Sequence, residues 1–223
     1  MQICLVCLHM RQYLVFTLLI LLQINVLSQE EGWKFIRDDD SIRVYSRKTP
    51  DSPIKEIKVI TEMQTDLSSL VALMKDVDNH KNWAYANKKA RILEKHNEFS
   101  WVFYGYSDAP WPVQDRDMVV IASLRQDSVS RIVTNSGKCN PGYIPEKKGV
   151  VRIPDCRSKW TLDPIGEGLV QVSLQIRIDL GGMLPAWLIN MVSSKGPYQT
   201  LKNMEEAVKQ PEYRDAEVDY IMD

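Results

Sequence analysis

Ala109-Pro-Trp-Pro-Val-Gln-Asp-Arg-Asp-Met118 is the stretch from which the fold can be read. Pro110 and Pro112 fix φ on either side of Trp111, so a large aromatic is held on a stiff, exposed turn. Arg116 and Asp117 lead directly into Met118-Val-Val-Ile-Ala-Ser-Leu124, an apolar run with the composition of a strand. A charged pair at a strand entrance can pin the loop by charge-assisted hydrogen bonds. Arg116 and Asp117 are therefore expected to form a structural pair, in preference to acid–base machinery.

Working outward, Trp160-Thr-Leu-Asp-Pro164 precedes the cleanest strand of the chain. In Leu169–Leu180 the residues Val170, Val172, Leu174, Ile176, Ile178 and Leu180 alternate with Gln171, Ser173, Gln175, Arg177 and Asp179. Strict alternation gives one dry face and one wet face. Gly181-Gly-Met-Leu-Pro-Ala-Trp-Leu-Ile-Asn190 follows, with Pro185 suited to the first turn of a helix. That helix should run to about Lys209, disturbed at Gly196-Pro197.

Upstream, Trp33–Arg37 and Ile42–Tyr45 flank Asp38-Asp-Asp-Ser41 and read as a hairpin. Ile54–Glu62 is strand-like. Leu67, Leu70, Val71 and Met74 share one face of a short helix that Thr65 or Asp66 can cap. Val77–Trp83 reads as a loop. Strands are expected at Ala90–Glu94, Phe99–Tyr106, Met118–Leu124, Val129–Asn135, Val150–Ile153 and Lys159–Leu162, with a turn at Gln126-Asp-Ser128 and a loop at Cys139-Asn-Pro-Gly142. Many antiparallel strands, one early helix and a long last helix are satisfied by a bent sheet with a helix across its concave face.

Two spaced motifs in the right order resemble START domains, lipid-transfer relatives of the steroidogenic acute regulatory protein. They are the Pro-Trp-Pro…Arg-Asp element and the Trp-x-Leu-x-Pro strand, which leads through Asp-x-Gly-Gly-x-x-Pro to a helix opening Trp-Leu-x-Asn. The resemblance covers roughly residues 32–210. It implies an α+β helix-grip fold, a curved antiparallel sheet wrapped around a long C-terminal helix with an internal hydrophobic cavity. It also implies gate positions at Trp111, Met183 and Leu184. Sterol-binding START proteins carry an arginine six residues beyond the Arg of the Arg-Asp pair. Ala122 stands there in this chain, so the buried charge expected to greet a sterol hydroxyl is missing.

The rest of the sequence sets the compartment and excludes chemistries. Residues 13–22 are apolar, Arg11 precedes them, and Val26-Leu-Ser28 fits a cleavage site before Gln29. Residues 1–28 are thus expected to be a cleaved signal peptide, giving a secreted or periplasmic protein; the alternative is an uncleaved membrane anchor. A lipid-binding domain over 29–210 and a solvated acidic tail over 211–223 complete the organisation. Beyond the leader the cysteines are Cys139 and Cys156, which form one disulfide or remain two partly buried thiols. Net charge is −1, with no basic block and so no footprint for nucleic acid.

No nucleophile motif, phosphate-binding loop or metal-ligand spacing is present, and no cofactor or metal is expected. His80 and His96 read as surface or loop residues. What remains is a shape and a lining. Met118, Val120, Ala122 and Leu124 lie in phase on one strand. Val172, Leu174 and Ile176 lie in phase on another, opposed by Trp187, Leu188 and Met191 on the last helix. Trp101 and Trp160, with Tyr104, could contribute aromatic faces to a head group. Such stripes usually fill a core; the resemblance favours a hollow one. The expected function is binding, and transfer, of a lipid or other hydrophobic small molecule by a monomer that touches membranes transiently. The alternatives are a cyclase- or hydrolase-like enzyme on the same scaffold, or a sensing module that does not transport.

Overall fold

The structure is a computed structural model that describes residues 32–109 and 113–223. The expected leader, residues 1–28, and Trp111 lie outside the described residues. Lys34–Asp223 packs as one unit.

One hairpin starts the sheet: β1 (Lys34–Asp39) and β2 (Ile42–Thr49) join through Asp40 and Ser41, both at positive φ. A two-residue loop of that kind matches the twist of paired strands. β3 (Ser52–Gln64) follows, and then α1 (Leu67–Lys75), whose N-terminus is capped by Asp66 Oδ1 accepting from the Ser69 N–H at 2.7 Å. The segment expected as a loop is instead a 3-10 turn at Val77–Asn79 running into a short helix, α2 (His80–Trp83). Its apolar Val77 and Trp83 are buried, which holds the turns in place.

The remaining strands are β4 (Asn87–Asn97), β5 (Ser100–Ser107), β6 (Asp115–Gln126), β7 (Val133–Cys139), β8 (Val150–Arg152), β9 (Asp155–Gly166) and β10 (Leu169–Asp179). The expected strand at Val129–Asn135 starts later, at Val133. Asp127 Oδ1 accepts from the N–H groups of Val129 and Ser130, and Arg131 sits at positive φ, so this stretch is a turn. The strands form one curved sheet in the order β1-β2-β3-β10-β9-β7-β6-β5-β4, antiparallel except that β8 adds parallel to β6.

The expected long C-terminal helix is broken. α3 (Ala186–Val192) ends before Ser193-Ser194, and α4 (Lys195–Ala207) begins after them. Pro197 has no N–H to give to the Ser193 carbonyl, so the ladder cannot run through. α4 lies over β2 and β3 and buries Tyr198, Leu201 and Met204 in one core cluster with Val44 and Val59. The sheet face around β2 and β3 is therefore a filled core.

The acidic tail is not a solvated end. Its short helix α5 (Pro211–Arg214) buries Tyr213, and Ile221 is buried further on. Asp223 accepts from the Ser68 N–H at 2.8 Å, placing a carboxylate at the positive end of α1.

Candidate functional site: a cavity on the sheet

The site is built by strand register. Trp101 on β5 lies opposite Ala122 on β6, Ala122 opposite Gly137 on β7, and Gly137 opposite Ser158 on β9. One lateral row of the sheet thus runs from a tryptophan across three small residues. The row on one side carries Leu124, Asn135, Trp160 and Leu174 in register. The row on the other carries Phe103, Val120 and Cys139. Small residues flanked by large ones leave a trough. A Cβ at Gly137 would come within 2.7 Å of Ser158 Oγ and 3.1 Å of Val120 Cγ1, so the sheet cannot fill it from below.

Met74 of α1 and His80 and Trp83 of α2 roof this trough, leaving a cavity of about 60 Å³. A single water needs roughly 10–15 Å³, so the space holds a small group or a ring. Its walls are aromatic: His80 meets Trp83 edge-on at 5.0 Å and Phe103 at 5.7 Å, and Trp83 meets Trp160 at 6.2 Å. The roof is tied to α4, because Asn203 Nδ2 donates to the Trp83 carbonyl at 3.0 Å and the Tyr85 N–H donates to Thr200 Oγ1 at 3.1 Å. The indole N–H groups of Trp83 and Trp101 are buried without acceptors.

His80 is no surface residue. It is buried, and its Nε2 lies 2.8 Å from the Met74 carbonyl oxygen, which can only accept. Burial pushes its pKa below the ordinary value, so the ring is neutral at pH 7 with the proton on Nε2. No hydrogen bond among the described residues joins His80 to Ser158.

The expected ligand-binding residues divide into four groups. Trp101, Val120, Ala122 and Trp160 line the cavity. Leu124, Val172 and Leu174 are buried in the main core, with Ile176 packed against it, and do not line the cavity. Met118 packs in a separate cluster with Val120, Cys139, Ile153 and Cys156. Trp187 and Met191 face outward, 68% and 65% exposed, and Leu188 is half-buried away from the cavity; the buried side of α3 is Ile189. Tyr104 lies on the opposite face of β5, with Val102 and Val119, and cannot share a site with Trp101. Met183 is fully exposed and Leu184 half-buried.

Arg116 and Asp117 do not pair with each other. Asp117 is gripped by Arg152 through Nε to Oδ1 at 2.7 Å and Nη2 to Oδ2 at 3.1 Å, with both side chains almost fully buried. Arg152 also donates to the carbonyls of Pro141, Ile144 and Pro145, and its hydrogen bond to Asp117 raises its pKa. Arg116 instead donates to the carbonyls of Gln114 and Leu180, fastening the loop ahead of β6 to the end of β10. Neighbours on a strand project to opposite faces, so each needs its own partner. Cys139 and Cys156 are joined, Sγ to Sγ at 2.03 Å, bridging the end of β7 to the start of β9. Among the described residues no cluster could hold a metal ion, and no helix is long and apolar enough to cross a membrane.

The START domain model matches residues 16–214, overlapping the end of the segment read as a leader. The chain belongs to the START domain family. This START domain is 31% identical to an uncharacterized protein of Pseudomonas aeruginosa, over 80% of this chain and 88% of that one. It is 26% identical to the phosphatidylcholine transfer protein of Rattus norvegicus, over 78% and 83%. Among solved structures, a STAR-related lipid transfer protein fragment from Xanthomonas axonopodis superposes with a TM-score of 0.75 at 29% identity, covering 81% of this chain and 100% of that one.

Sequence reasoning missed His80, Trp83, Met74, Asn135, Gly137 and Ser158. Gly137 carried a signal, as a glycine inside a strand, which marks a close approach; Ser158 carried none.

Proposed function

We propose that this START domain binds a lipid or other hydrophobic small molecule in the cavity over Ala122, Gly137 and Ser158 and carries it between membranes. The hollow row beneath an aromatic roof carries this reading, and the lipid-transfer relatives support it. Burying a lipid chain is worth about 0.8 kcal/mol per methylene, so a sixteen-carbon chain gains on the order of 12 kcal/mol. A bilayer offers nearly the same, so exchange between membrane and pocket is close to neutral and needs no energy source. A cavity of about 60 Å³ cannot hold such a chain closed, so loading requires an element to move.

α3 is suited to move. Gly181 and Gly182, both at positive φ, precede it, and Ser193-Ser194 follow it. It is held to β3 by Ile189 and by Asn190, whose Oδ1 accepts from the Lys55 N–H at 2.7 Å and whose Nδ2 donates to the Pro53 carbonyl at 3.0 Å. Its outer face presents Trp187, Met191 and Val192 to the surroundings, and an indole suits the water–lipid interface. This face, with Met183 and Leu184 ahead of it, is the membrane contact. The protein acts as a monomer, exported through its N-terminal apolar segment; the Cys139–Cys156 disulfide favours an oxidising compartment. It acts as a carrier and not an enzyme, a reading supported by a wall that is apolar or neutral apart from His80.

The test is transfer of fluorescent lipids of several head-group classes from donor to acceptor vesicles. Ala122→Trp fills the trough and should cut transfer at least tenfold while the protein still unfolds cooperatively. Wild-type transfer by that variant would place the ligand elsewhere.

A further inference from the structure

The cavity wall says what kind of head group it receives, given the lipid-binding reading above. Of the residues that line it, only His80 can ionise, and burial keeps it neutral. Lys75, whose ammonium lies over the Trp101 ring, is already committed to Glu98 and Tyr220. What the wall does offer is neutral hydrogen-bonding groups. Asn135 is 8% exposed and Ser158 half-buried, and neither side chain bonds another described residue. Asn135 sits opposite Trp160 and Ser158 opposite Gly137, so the two are diagonal neighbours on paired strands, within reach of one small group. Both are therefore open to a ligand's hydrogen bonds.

We propose that Asn135 and Ser158 read an uncharged hydrogen-bonding head group, the hydroxyl or carbonyl end of a neutral lipid, and that the cavity rejects phosphate-bearing head groups. A phosphodiester would enter a charge-free wall without a counter-ion, and an unpaired buried charge is strongly disfavoured. The aromatic faces of Trp83, Trp101 and Trp160 would suit a choline. Its phosphate, tethered by a two-carbon arm, would follow it into the same wall. The relative that transfers phosphatidylcholine is therefore a poor guide to the cargo of this chain.

The experiment is capture by the purified chain from vesicles carrying trace labelled dioleoylglycerol or dioleoylphosphatidylcholine, lipids that share their acyl chains and differ in the phosphocholine. The expected result is at least tenfold more dioleoylglycerol captured. Asn135→Leu, which swaps the amide for an apolar group of similar size, should lower that capture about tenfold. Ser158→Ala should lower it about threefold, and neither variant should lower the thermal midpoint. Equal or greater capture of dioleoylphosphatidylcholine, or unchanged capture by both variants, overturns this proposal and leaves lipid binding standing. Failure to capture either lipid, or labelled hexadecanol offered in the same way, overturns the lipid-binding reading itself.

Discussion

At the scale of single residues, Asp117 and Arg152 decide how the loop before β8 is held. Arg152 spans from the Asp117 carboxylate to three backbone carbonyls of residues 141–145, so one guanidinium fixes β6, β8 and the loop between β7 and β8 together. Removing the carboxylate leaves a buried cation with no countercharge, a loss of about 3–5 kcal/mol. Arg116 bonds carbonyls alone, and its loss should cost about 1–3 kcal/mol. Urea unfolding should accordingly rank Asp117→Ala well below Arg116→Ala, and the reverse order would make Arg116 the main clamp. The sequence marked Arg116 and Asp117 as important but not their partners. Arg152 is far along the chain, and only the parallel pairing of β8 with β6 brings it opposite. His80 and Trp83 were equally hidden, since a segment with no long period gives no sign that it roofs anything.

At the scale of elements, the sequence told strand from helix well and inside from outside less well. The alternation in β10 locates the strand, and Val170, Val172 and Leu174 are buried as it requires. The same logic failed on α3, where Trp187 and Met191 were expected to line the cavity. A helical stripe identifies an apolar face and not what covers it: Ile189 takes the sheet, and the large residues are left outside. That outward face gives α3 its own prediction. Trp187→Ala should slow lipid transfer between vesicles about three- to tenfold while changing equilibrium binding less than twofold, because the indole acts on opening and not on the closed complex. Net charge is −1 and α3 itself carries no charged residue, so added salt should alter transfer little. The check is stopped-flow transfer alongside a binding titration; a matched loss in both would return Trp187 to the binding site.

At the scale of the whole molecule, the sheet divides into a packed half and a hollow half. Over β2 and β3 the helix α4 supplies Leu201 and Met204, with Val208 just past its end, and closes an ordinary core. Where Ala122, Gly137 and Ser158 meet across β6, β7 and β9 the trough takes the place of that packing, and a cavity forfeits contacts on every side. Periodicity is the same in both halves, which is why the sheet was legible in the sequence and its hollow part was not. Side-chain size across strands, Trp101–Ala122–Gly137–Ser158, carries that information, and it needs the register to be seen. The Cys139–Cys156 disulfide lies in the hollow half, beside Gly137 and Ser158, and joins β7 to β9 across a separation of 17 residues. Closing a loop of that length stabilises the fold by about 3 kcal/mol in the chain-entropy account. Reduction should therefore lower the thermal midpoint by several degrees. The loss should be uneven: amide exchange in β7 and β9 should rise on reduction far more than in β2 and β3, whose stability comes from α4. A Cys139→Ala, Cys156→Ala double variant should reproduce that pattern without reductant. Uniform acceleration across both halves would mean that the sheet opens as one unit, and that the disulfide does not selectively support the half that holds the cavity.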